Sequence, residues 1–145
     1  MEPLHPEDCR SYLRAATVGR VGTTIGALPA VLPVRYRMLG DHVVFRAAPG
    51  TRLTSAVLGA PVAFEVDHLD ERDHTGWSVM VVGQALELVD DRLLERARSL
   101  ELVPWSGDRD HFLTIATDYV TGRRVATGPP EPVVSAPSYG RPGGI

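Results

Sequence analysis

The stretch from Trp77 to Val89, WSVMVVGQALELV, is the longest β-like run in the chain, and Gly83 stands in its middle. A run of that length twists as it extends and cannot stay flat. Gly83 marks where it can bulge, as a barrel strand must in order to bend. Other β-like runs surround it. VGRVGTT (Val18 to Thr24) alternates and reads as a strand, IGAL turns, and PAVLPVRYRML (Pro29 to Leu39) returns. In that return Val31, Pro33, Arg35 and Arg37 share one face, and Leu32, Val34 and Tyr36 the other. Pro33 inside it predicts an edge, a bulge or a kink. Gly40-Asp41 is a hairpin signal, and HVVFRAA follows. PVAFEVDHL is a further strand. HFLTIATDYVTGRRVA is a last one, predicted to break at Thr117-Asp118.

Helical patterns are few. PEDCRSYLRAA, Pro6 to Ala16, has Pro at its start, Glu7 and Asp8 in its first turn, and Cys9, Tyr12, Leu13 and Ala16 at helical spacing. TRLTSAVLG, Thr51 to Gly59, is a short helix with Leu53, Val57 and Leu58 as its stripe and Gly59 as its stop. DDRLLERARSLELV is a third, capped by Asp90 or Asp91, with Leu93, Leu94, Ala97 and Leu100 inward. Regular strand–helix alternation is absent, so a parallel doubly wound sheet is excluded. The pattern predicts a mainly β, antiparallel barrel with peripheral helices. From Thr127 onward Pro, Gly and Ser dominate. The expectation is one domain over residues 1–126 and a disordered tail over 127–145.

The chain has 145 residues, 43% of them hydrophobic, enough to bury a real core. Net charge is -3 with no global basic field, so nucleic acid is not the expected partner, and neither is a membrane. All 15 basic residues are Arg. With no Lys, a Schiff-base mechanism is excluded, and anions must be held by guanidinium groups. Cys9 is the single cysteine, which excludes an intrachain disulfide and fits a reducing compartment. It reads as a helix-packing residue, not an activated nucleophile. No apolar run approaches the roughly 20 residues of a membrane helix. The expectation is a cytoplasmic protein.

The stretch FRAAPGTRL ends a strand, turns, and restarts as a helix with a hydroxyl beside a guanidinium. Exposed N–H groups at a helix start favour an anion. Thr51 either caps the helix or donates its hydroxyl to a phosphate oxygen, and Arg46 and Arg52 can grip such a group. If the neighbouring strands pair, Arg35, Arg37 and Tyr36 lie near Arg46. These arginines either surround an anion, sit on opposite faces, or meet acids from elsewhere. DHLDERDH, with Asp67, His68, Asp70, Asp73 and His74, fits no tight metal-ligand spacing, and no metal is expected. GTTIGAL lacks the spacing of a dinucleotide fingerprint. His111 reads as a structural or rim residue, since no triad surrounds it. Trp77 and Trp105 read as packing residues that can also stack on an aromatic ligand.

Taken in order, VGRVGTT, AVLPVRY, HVVFRAAPGTRL, PVAFEVDHLD, GWSVMVVGQALEL, PWSGDRDHFLTI and VTGRR resemble the pyridoxamine 5'-phosphate oxidase-like flavin-binding proteins. The likeness is greatest to the small bacterial branch that includes nitroimidazole-resistance-type proteins. It spans about Pro6 to Val125. It implies a split β-barrel that forms a homodimer with FMN at the interface and acts as an oxidoreductase on a small-molecule substrate. Carried over residue by residue, it implies that Leu32, Pro33, Val34 and Arg35 follow the flavin ring. Phe45, Arg46 and Ala47 would lie beside the ribityl chain, and Thr51 and Arg52 at the phosphate. Trp77 and Ser78 would stand where the partner subunit approaches. Relatives commonly have a Lys in the phosphate segment; here Arg52 stands in that region. The Trp- and Arg-bearing C-terminal segment of the full-length oxidases is replaced by the Pro/Gly tail. The resemblance therefore carries a flavin further than it carries pyridoxamine phosphate.

Two alternatives share the fold. The deazaflavin F420 would use Arg35, Arg37 and Arg46 along an open groove. A non-enzymatic flavin or haem carrier would use His42, His68 or His111 as an axial ligand. A barrel without any cofactor, serving as an interaction scaffold, is a further class.

Overall fold

A computed structural model describes residues 1–47, 50–102 and 111–125, with the backbone alone at Arg52 and Leu53. Trp105 and the expected tail over 127–145 lie outside the described residues. In chain order the elements are β1 (Glu2–Pro3), α1 (Pro6–Ala15), β2 (Val18–Ile25), β3 (Leu28–Leu39), β4 (His42–Arg46) and α2 (Arg52–Val57). There follow β5 (Pro61–Asp70), β6 (Thr75–Glu87), α3 (Asp91–Arg98), β7 (Phe112–Ala116) and β8 (Tyr119–Val125).

Every strand pairing is antiparallel, in the order β1-β8-β6-β5-β2-β3-β4-β7, and β7 also pairs with β6. That last pairing closes a six-stranded barrel, β6-β5-β2-β3-β4-β7, and β8 and β1 continue from the other half of β6. The result is a split β-barrel with peripheral helices, as expected.

The long run with Gly83 explains the split. Residues Gly76 to Val82 pair with β8, and Ala85 to Glu87 pair with β7. Against β5 the register of β6 is unbroken, with Val62 opposite Gly83 and Pro61 opposite Gln84. The bulge expected in β6 is therefore not on that edge. The pairing on the other edge shifts by one residue between β8 and β7, so the extra residue sits in the partner strand, at the predicted Thr117-Asp118 break. There Thr117 is buried and bonds the Asp41 carbonyl twice, through its N–H at 3.1 Å and its hydroxyl at 2.8 Å. Gly83 instead permits close approach. A Cβ there would meet Ile115 Cγ2 at 3.2 Å and the Ala116 carbonyl oxygen at 3.4 Å.

Pro33 lies in the half of β3 that pairs with β2 only, since β4 reaches no further than Tyr36. Among the described residues one edge of that half is free of a ladder, a place where proline's missing donor is tolerated. The Gly40-Asp41 hairpin forms, with Gly40 at φ 57°.

The barrel interior holds Val21, Val34, Tyr36, Phe45, Phe64, Val66, Val79, Val81 and Ile115, with Cys9 and Leu13 of α1 packed against them. Tyr36 donates its buried hydroxyl to the Leu13 carbonyl at 2.6 Å and so ties α1 to β3. A smaller cluster lies outside the barrel, where Ala97, Leu94 and Leu100 cover Val44 and Phe112. Leu93, expected inward, is exposed, and so is Leu58 at the end of α2. Asp90 caps α3, accepting from Arg92 N–H at 3.0 Å and Leu93 N–H at 3.1 Å.

Candidate functional site

The alternation of β3 carries its site residues to opposite sides. Pro33 and Arg35 point outward and are exposed; Val34 is buried in the core and Leu32 is half-buried. Register then sets the outer face across five strands. Arg20 lies opposite Pro33, Glu65 opposite Arg20, Met80 opposite Glu65, and Thr121 opposite Met80. The next row is Val31, Gly22, Ala63, Val82 and Tyr119. Val31 is 68% exposed and Tyr119 77%, with Met80 and Val82 also open. A recess of about 480 Å³ lies between Met80, Val82, Tyr119 and Thr121 at the β8 end. Met80, Val82 and Tyr119 form an exposed apolar patch on neighbouring strands, the kind of surface that a partner covers.

The arginines gather at one end of this face. Arg35 and Arg37 line a recess of about 100 Å³ with Thr17, Val18, Glu101 and Leu102. Arg46 donates to the Leu102 carbonyl at 2.9 Å and lies over the Phe112 ring at 5.2 Å. Tyr36 pairs with Phe45, so Arg35 and Arg46 flank that pair. Of the arrangements open to these arginines, the structure has Arg35, Arg37 and Arg46 meet around the Glu101–Leu102 turn. Phe45 itself is buried, so its backbone alone can meet a ligand; Ala47 is half-buried, and its N–H bonds the His111 carbonyl at 3.0 Å.

Thr51 is the N-cap of α2. Its Oγ1 accepts from the Thr54 N–H at 3.2 Å and sits 2.9 Å from Thr54 Oγ1. Gly50 before it has φ 75°, which a side chain would strain. A shallow recess of about 350 Å³ opens there, lined by Ile25, Gly26, Gly50, Ser55 and Ala56. The Arg52 side chain lies outside the description.

Trp77 and Ser78 separate. Trp77 points inward and stacks on Tyr12 at 4.2 Å and 23°, and Arg124 donates to the Tyr12 hydroxyl at 3.1 Å. Ser78 points outward, between Asp67 and Arg123.

Two charged groups were not visible in the sequence. Arg20 reaches Glu65 at 3.2 Å and Asp67 at 3.5 Å on the outer face. Burial raises the Glu65 carboxyl above its ordinary range, the neighbouring Asp67 adds to the rise, and Arg20 opposes it. His111 Nδ1 meets Glu87 at 3.0 Å, behind Ala47. Either pair would have needed a strand register to find. Two further acids of DHLDERDH serve the β5–β6 turn: Asp70 accepts from Arg72 N–H at 2.9 Å, and Asp73 from Thr75 N–H at 3.0 Å and its hydroxyl at 2.6 Å. Among the described residues no three His, Cys, Asp or Glu side chains gather as a metal site, and no helix is long and apolar enough to cross a membrane. Burial also pushes the Cys9 thiol up, away from thiolate chemistry.

Residues 5–124 match the family model described as pyridoxamine 5'-phosphate oxidase. The chain belongs to that family. An uncharacterized protein of Mycobacterium tuberculosis is 37% identical over 132 residues, covering 84% of each chain. The FAD binding protein from Mycobacterium smegmatis is 32% identical with a TM-score of 0.74, over 86% of this chain and 98% of that one. The FAD and haem binding protein from the same organism has a TM-score of 0.71 at 18% identity, over 91% of this chain and 77% of that one, a likeness of fold alone. In this member of the pyridoxamine 5'-phosphate oxidase family the matched span includes every one of the site residues discussed above.

Proposed function

We propose that this chain is a flavin-binding oxidoreductase that takes FMN at the interface of a homodimer and acts on a small-molecule substrate. The observation that carries the reading is the outer face of β3-β2-β5-β6-β8. Exposed Val31 at one end of it and Met80, Val82 and Tyr119 at the other, with half-buried Gly22 and Ala63 between, run beside Pro33 and Arg35. A second copy and a flat ring are the ligands such a face suits. The FAD binding relative at 32% identity supports a flavin.

The residues at the start of α2 fit a phosphate. Thr51 offers a hydroxyl there, the described residues lining the Gly50 recess include no carboxylate, and Gly50 lets backbone approach closely. Thr51 and Arg52 would hold the phosphate, with Arg46 anchored beside the ribityl chain. Leu32, Val34 and Phe45 would act through backbone, Pro33 and Arg35 through side chains, and Ser78 would face the partner subunit. Trp77 would act indirectly, by fixing α1 through Tyr12. A bound flavin supplies electron or hydride transfer, so the protein's part is to bind, orient and limit access. No general base is required of the chain.

The test is the visible spectrum of the purified protein, then parallel titration with FMN, FAD, F420 and haem. Tight FMN uptake with a shifted flavin band is expected, and FAD bound more tightly than FMN would change the cofactor but keep the class. Uptake of haem or F420 alone would overturn the flavin assignment. Arg52→Ala should weaken FMN binding about tenfold or more, because a charge-assisted phosphate contact is worth roughly 1.5–3 kcal/mol. Unchanged affinity would remove Arg52 from the site.

A further inference from the structure

Arg20 stands on the outer face directly opposite Pro33, the residue taken above to lie along the flavin ring. Its guanidinium is not left to swing. Glu65, its partner across the β2–β5 ladder, holds it at 3.2 Å, and Asp67, the next outward residue of β5, at 3.5 Å. Arg20 nevertheless remains 51% exposed, while the two carboxylates are two-thirds covered. The acids therefore draw the guanidinium toward β5, on the side of β2 away from Pro33, and leave half of its surface open on the outer face. Beside it Gly22 and Ala63 lower the surface between Val31 and Val82, so that a flat group could lie close.

We infer that Arg20 is a cation that faces the bound flavin from β2 and tunes its reduction, with Glu65 and Asp67 as the positioning residues that hold Arg20 and moderate its charge. The inference rests on the flavin reading above. Its physical basis is Coulombic. Reduction places added negative charge on the flavin, so a nearby fixed cation favours the reduced form and a nearby carboxylate disfavours it. Two acids sharing one guanidinium set carboxylate charge directly beside the exposed cation. The chain's own side chains thus set opposing contributions at one place. Solvent weakens both, because Arg20 is half-exposed.

The experiment is equilibrium reduction of the flavin-loaded full chain against a redox dye of known potential. Arg20→Gln is expected to lower the ratio of reduced to oxidised flavin affinity about tenfold, which is about 30 mV more negative for a two-electron couple. Asp67→Asn is expected to move the potential the other way, by a smaller amount. Arg20→Lys, which keeps the charge, should stay close to the wild type. Opposite signs are the essential result, since a general loosening of the fold would push both neutralising variants in one direction. Flavin bound to Arg20→Gln at an unmoved potential overturns this inference alone. A shift of equal sign in Arg20→Gln and Asp67→Asn does the same. A wild-type chain that takes up no flavin overturns the underlying reading together with it.

Discussion

The two faces of the main sheet are built on opposite rules. Inside, Phe64, Tyr36, Val21 and Val66 are fully buried, and the one polar group among them, the Tyr36 hydroxyl, is bonded at 2.6 Å. Outside, Arg20, Glu65, Met80 and Tyr119 share a few rungs of the same strands, apolar and charged together. The interior minimises exposed apolar area and unsatisfied polar atoms, as folding alone demands. The exterior does neither. Under the proposed function the cofactor and the second copy lie on the face that folding does not explain, and substitutions on the two faces should separate stability from binding.

The largest effect is expected inside. Phe64 packs edge-on against Tyr36 at 4.8 Å and presses on Gly19, which has no side chain to spare. Phe64→Ala should cost about 3–5 kcal/mol through lost transfer energy and the cavity left behind. Urea unfolding measures it, and a loss below about 1 kcal/mol would show that the barrel collapses around the gap. On the other face, Val82→Asp should leave monomer stability within about 0.5 kcal/mol. Under the proposed homodimer it should raise the dimer dissociation constant tenfold or more, because each interface would bury an unpaired carboxylate twice. Sedimentation at graded concentrations reads this directly. An unchanged association would mean that another surface joins the copies.

The two faces were also unequally legible in the sequence. Alternation in PAVLPVRYRML separated Val31, Pro33 and Arg35 from Leu32, Val34 and Tyr36, because a strand's side-chain period is local information. The break at Thr117-Asp118 and the hairpin at Gly40-Asp41 were legible for the same reason. What alternation does not contain is which strand lies beside which. Arg20 and Glu65 are 45 residues apart in sequence and meet only because β2 pairs with β5. His111 and Glu87 meet only through β6–β7 closure. Gly83 signalled a bulge in β6, whereas β6 changes partner there and the added residue belongs to the facing strand. Trp77 and Ser78, adjacent in sequence, diverge for the simplest reason: neighbours in a strand point to opposite faces.

Tyr36→Phe tests the interior at a finer scale. The ring stays and the donor goes, so the Leu13 carbonyl loses its buried partner and α1 its tie to β3. A loss of about 1–2 kcal/mol is expected in urea, with cofactor affinity little changed. In the intact protein, burial holds the Tyr36 hydroxyl well above the ordinary tyrosine range, so this bond should persist through mildly alkaline pH.

The smallest effect is expected at Glu65, and its sign is informative. Because burial raises the Glu65 carboxyl, the folded chain binds its proton more tightly than the unfolded chain does. Ionisation of Glu65 therefore opposes folding at neutral pH, and that cost vanishes as pH falls below the unfolded value of about 4.3. Glu65→Gln should be equal to or slightly more stable than wild type at pH 7, by less than about 1 kcal/mol given screening near the surface. The difference should close toward pH 4. Thermal melts of both proteins across that range decide it. If the variant is instead clearly less stable at pH 7, the Arg20 contact outweighs desolvation and the outer charges assist folding. If the predicted sign holds, Glu65 keeps its charge on the outer face against the preference of the fold, which is the behaviour of a residue placed for what binds there.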